Sequence, residues 1–124
     1  MAAAISQRKL DDLRREWQKL LRLQDWKISA KFATNGETCG DLGECSFIAE
    51  AKTAKIMILA SDEVIDDEHH RKQDVENTLV HELLHCHFAP FFSGNKAVML
   101  QQEQAIESIA GALVGLKRRK NAAS

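Results

Sequence analysis

The stretch TLVHELLHCHF, residues 78–88, constrains this chain more than any other, because it sets His81, Glu82 and His85 within five positions. Residues four apart share one helix face, so a helix here projects two imidazoles side by side. Leu79, Val80, Leu83 and Leu84 lie on the other side and suit a core. Any fold must therefore give this helix a buried apolar back and a polar front. The plain alternative is an amphipathic helix that happens to carry histidines.

The bulk numbers narrow the field. A chain of 124 residues is one domain, long enough for a single core. Its 44% apolar and 28% charged residues are those of a globular protein. A net charge of −1 offers no field to recruit nucleic acid or an anionic membrane. The longest apolar run, IMILA at 56–60, is too short to span a bilayer, and the first residues lack the apolar run of a signal peptide. Cys39, Cys45 and Cys86 follow no framework spacing, which points to free thiols in a reducing cytosol. The expectation is a soluble, cytoplasmic monomer.

Hydrophobic periodicity orders the elements. Leu10, Leu13, Trp17, Leu20 and Leu21 recur at the helical period and predict an amphipathic helix over 6–23. In WKISAKF, 26–32, the period drops to two, predicting a half-buried strand. TNGETCGD supplies a turn, with Gly36 and Gly40 able to take positive φ. Further strands are expected at 42–49 and 54–60, joined as an antiparallel hairpin by EAKT. The last is apolar on both faces at 56–59, as a central, covered strand would be. The motif helix starts near Asp74, a good N-cap, and stops before Pro90. A final helix runs from 96 to 120, with Asn95 as cap and Lys117, Arg118, Arg119 and Lys120 at its end. The order α-β-β-β-α-α defines an α+β domain. Its three-stranded sheet is expected to be mostly antiparallel.

Zinc suits two neutral imidazoles spaced this way, and a catalytic site wants three protein ligands and an open position. Zinc lowers the pKa of its water to about 7, and Glu82 is placed to take the proton. The third ligand is not another histidine of the HExxHxxGxxH pattern, since position 91 is Phe91 and position 88 is Phe88. Glu103 and Glu107, four apart on the final helix, share a face with Met99, Ile106 and Ala110. A glutamate on an inward face needs a partner, and a metal on the facing helix is one.

HELLH followed by a glutamate on the next helix resembles the gluzincin group of HExxH metallopeptidases. In layout the chain is similar to the single-domain minigluzincins and to small HExxH proteins of phages and mobile elements. The resemblance implies a zincin-like fold, one Zn2+ per chain and hydrolysis of a peptide or protein substrate. It makes Glu103 the third ligand beside His81 and His85, with Glu82 as general base. Glu107 becomes the partner that fixes the His81 tautomer, or the alternative ligand if the two carboxylates exchange roles. Relatives of that group steady the oxyanion with histidine or tyrosine, and this chain has no tyrosine. His69, His70, Arg71 and His87 are the remaining candidates for that task. The alternative reading is a non-catalytic, zinc-stabilised binding or regulatory protein of a phage or mobile element.

Other features read as structural. Asp66, Asp67, Glu68, His69 and His70 suit a solvated loop before a helix N-terminus better than a second metal site. His87 lies on a different face from His85, and Cys86 suits a small buried position. The basic end of the last helix complements the dipole. Phe88, Phe91, Phe92 and Met99 are core residues or cleft walls.

Overall fold

A computed structural model of the chain describes residues 5–63 and 73–123. The acidic loop with Asp66, Asp67, Glu68, His69, His70 and Arg71 lies outside the described residues. The elements are α1 (Gln7–Leu20), β1 (Lys27–Ala33), α2 (Asn35–Thr38), β2 (Gly43–Ile48), β3 (Thr53–Leu59), α3 (Val75–Phe88) and α4 (Lys96–Ala123). Short 3₁₀ turns follow β3 and α3. The chain is an α+β protein. Among the described residues, no helix is long and apolar enough to cross a membrane.

Local chemistry accounts for the boundaries. Ser6 caps α1 by accepting from Lys9 N at 3.1 Å. The helix ends at Leu20, short of the expected 23, because Arg22 turns left-handed at φ 60°. Leu20 is consequently exposed, and Gln18 is buried in its stead. Its Nε2 donates to the carbonyls of Leu23 and Trp26 at 2.9 and 2.7 Å, fastening the end of α1 to the start of β1. In the expected turn, Thr34 and Glu37 form a capping box that starts α2. The left-handed residues there are Cys39 and Gly40, whereas Gly36 sits inside the helix.

The sheet order is β1-β3-β2. β3 is central, as its apolar content predicts, and the β2–β3 hairpin is antiparallel. β1, however, pairs with β3 in parallel, so the sheet is mixed rather than mostly antiparallel. The hairpin explains this: it folds β3 back between β1 and β2, and the two outer strands then run in opposite directions.

One face of the sheet is covered along its whole length, the other only at the ends of β1 and β3, where Ala33 and Leu59 are buried and α2 packs on β3. Ile28, Ala30, Ala54, Ile56 and Ile58 are buried on the first face, and Cys45 and Phe47 pack against them. Lys27, Ser29, Lys31, Lys55 and Ser46 are exposed on the second face, so β3 is covered on both sides only toward its end, at Met57 and Leu59. α1 and α3 pack on the apolar face, with Leu10, Leu13 and Trp17 meeting Leu79, Val80 and Leu83 in one cluster. Burying such side chains stabilises by roughly 1.5–3 kcal/mol each. α4 adds Ile106, Ala110 and Val114, spaced four apart, and packs along α3.

Polar contacts set how α4 lies on α3. Lys117 Nζ reaches Glu16 at 2.6 Å and Glu76 at 2.5 Å, and stands 5.2 Å from the Trp17 ring centre. Trp17 Nε1 donates to Glu76 at 2.7 Å. Arg118 makes two 2.9 Å bonds to Asp74, the N-cap of α3. Two of the four terminal basic residues thus dock the helix. This long-range role adds to the dipole effect expected from sequence.

Candidate metal centre

α3 presents His81 and His85 on one face, as their spacing requires, with Leu79, Val80 and Leu83 fully buried behind them. The packing of α4 brings Glu103 and Glu107 opposite. His81 Nε2 lies 2.5 Å from Glu103 Oε1, and His85 Nε2 lies 3.2 Å from Glu103 Oε2. The donor atoms of His81, His85 and Glu103 all fall within 4.8 Å of one another. On the far side of the ring, His81 Nδ1 donates to Glu107 Oε2 at 2.6 Å. The two imidazoles are 5.3 Å apart, centre to centre.

The three donors fit a divalent metal ion. Two imidazole nitrogens and a carboxylate are a zinc-type set, and tetrahedral ligands about 2.1 Å from an ion stand about 3.4 Å from each other. The His85–Glu103 spacing already matches, and His81 and Glu103 need separate by only about 1 Å. Glu107, bound to the other ring nitrogen, fixes which nitrogen faces the cluster. Glu103 and Glu107 remain about half exposed, at 49% and 62% of their side chains. They flank the inward stripe of α4 at the cleft margin and are not part of its buried face.

Without an ion, the cluster is an ion-pair network. Burial opposes a charge on His81, but the Glu103 hydrogen bond, the charges of Glu82 and Glu103 and the Glu107 hydrogen bond prevail, raising its pKa to about 9. Hydrogen bonds from His81 and His85 hold Glu103 well below the usual carboxylate range. Burial pushes Glu82 up to about 7, against the pull of His81 and His85. A carboxyl near neutrality exchanges protons at ordinary pH.

The centre floors a cleft of about 560 Å³ between β2, α3 and α4. β2 is an edge strand, as anticipated, and Asp41, Gly43 and Cys45 form that wall. Gly43 permits the close approach. A Cβ there would stand 2.5 Å from Thr78 Cγ2 and 3.0 Å from Glu82 Oε2.

Several neighbours of the cluster escaped sequence reasoning. Asn77 and Thr78 line the cleft one turn before His81 and Glu82. The spacing 77-81-85 was the available signal. Nothing local marked Gly43, whose clash partners lie on a distant helix.

Other expected residues fall elsewhere. His87 is exposed, and its Nε2 donates to the Leu21 carbonyl at 2.6 Å, away from the cluster. Phe88, Phe92 and Met99 line a smaller pocket beside His85, and Phe91 and Phe92 are both exposed. Cys86 is buried as expected, and the neighbouring Cys45 thiol has its pKa pushed far up by Cys86 and by burial. Cys39 stands apart, exposed.

Fold and cluster together define an α+β protein with a His-His-Glu group able to hold a metal ion. Comparison with protein-family models, with curated proteins and with solved structures found no match. The functional reading therefore rests on this chain's own chemistry.

Proposed function

We propose that the protein is a zinc-dependent peptidase of zincin-like, gluzincin-like type. One observation carries the reading. His81 Nε2, His85 Nε2 and the Glu103 carboxylate converge beside a buried Glu82, with Glu107 on the opposite nitrogen of His81.

In this reading His81, His85 and Glu103 hold the ion. When bound, zinc supplies Lewis acidity that acidifies water and polarises an amide carbonyl. Glu107 accepts a hydrogen bond from His81 Nδ1–H and so keeps the Nε2 lone pair directed at the cluster. Glu82 takes a proton from the attacking water and returns it to the leaving amine. Its burial suits it to both steps. Asn77 offers a side-chain amide to the carbonyl oxygen as negative charge develops, in a chain that has no tyrosine. The open edge of β2 receives the substrate as an added strand.

The test is cleavage of a complex peptide mixture, followed by mass spectrometry. Hydrolysis should vanish with a chelator, return with zinc and be lost in Glu82→Gln while zinc content stays near one per chain. Stoichiometric zinc with no cleavage of any peptide would instead favour the zinc-stabilised binding or regulatory protein.

A further inference from the structure

The walls of the cleft are chemically unlike at its two ends. At the start of β2, the main chamber has carboxylates on every wall. Arg118 engages Asp74, and His81 engages Glu103 and Glu107. Asp41, Glu44 and Glu82 accept no side-chain hydrogen bond from a described lysine or arginine, and no described lysine or arginine lines the chamber. Glu82, 6% exposed, faces the same chamber.

The other end is apolar. A second pocket of about 170 Å³ is walled by Phe47, Phe88, Phe92 and Met99 and shares Cys45 and His85 with the main chamber. Phe47 and Phe92 meet edge to face at 6.2 Å, and Phe92 is 66% exposed. The two chambers meet at His85, a proposed metal ligand, so one occupant can fill both.

Resting on the peptidase reading, we propose that the site selects peptides with a basic side chain on one side of the cleaved bond and a large apolar side chain on the other. Laid along β2, such a peptide places its lysine or arginine against Asp41 and Glu44. Its leucine, methionine or phenylalanine enters the pocket closed by Phe92. The carboxylates attract the cationic residue and repel an acidic one, which sets the register as well as the preference.

The experiment measures kcat/KM for zinc-loaded protein on a matrix of peptides. One flanking side carries Lys, Ala or Glu and the other carries Phe, Leu or Ala, in both orders along the chain. The expected result is about tenfold or greater preference at each side in one of the two orders. Discrimination for Lys over Glu should shrink with added salt and in Asp41→Asn/Glu44→Gln. The apolar preference should shrink in Phe92→Ala and Met99→Ala. Equal rates across the matrix, or a preference for Glu, would overturn the inference and leave the peptidase reading standing. If no peptide is cleaved, anisotropy of a labelled Lys–Phe peptide against its Glu–Phe counterpart decides. Tighter binding of the former upholds the selectivity while the hydrolytic reading fails, and equal binding overturns both.

Discussion

His81 Nδ1 lies 2.6 Å from Glu107 Oε2, while its Nε2 faces Glu103 at 2.5 Å, so the two glutamates occupy opposite ends of one imidazole. Removing them should therefore have unequal effects. Elemental mass spectrometry of purified protein should find zinc lost in Glu103→Ala. Glu107→Ala should keep the site but weaken affinity about 10–100-fold. If Glu107→Ala abolishes binding and Glu103→Ala does not, the two roles are exchanged.

The closeness of β2 to α3 depends on a missing side chain. Gly43→Ala should lower kcat about 10²-fold with zinc content retained, because the new Cβ displaces the Glu82 carboxylate or the strand. Adding Thr78→Ser removes the methyl that stands 2.5 Å from that Cβ and keeps a hydroxyl for the bond to Gln73. The double variant should recover part of the loss, and a double-mutant cycle gives the coupling directly.

Metal-free protein should lose stability at alkaline pH. The folded-state pKa of His81 is raised from 6.5 to about 9, so its contribution is full below about 6.5 and fades as pH rises through about 9. Glu82 acts in the same direction. Its folded pKa of about 7 exceeds the ordinary 4.5, so folding becomes less favourable as pH climbs between those values. Thermal melts in chelator from pH 5 to 10 should show a declining Tm. A Tm that rises across that range would contradict the assignment.

Docking of α4 should be sensitive to a residue far from the cluster. Lys117 and Glu76 are 18% and 15% exposed at the side chain, and Glu76 also holds Trp17. Lys117→Met should cost about 2 kcal/mol by leaving Glu76 with a single strong donor. Denaturant unfolding measures the loss. Zinc affinity should fall as well, because α4 carries Glu103.

A good part of this was legible from residue order alone. Spacing of four put His81 and His85 on one helix face and paired Glu103 with Glu107, because the turn of a helix is set by its own backbone. Caps at Asp74 and Asn95 were equally readable, since a cap bonds only two or three residues away. The exposed Leu20 and buried Gln18 were not, because the left-handed turn at Arg22 has no such marker.

Residue order thus determined the three long helices, the three strands and which side chains are candidates for a metal. Tertiary packing alone decided the parallel pairing of β1 with β3, the assignment of Glu103 and Glu107 to opposite nitrogens of His81, the need for glycine at position 43 and the docking of Lys117 on Glu76. The division has a physical cause. Periodicity and capping act over one or two turns of chain, whereas these contacts join residues 22 or more positions apart, and their geometry exists only once the core has closed.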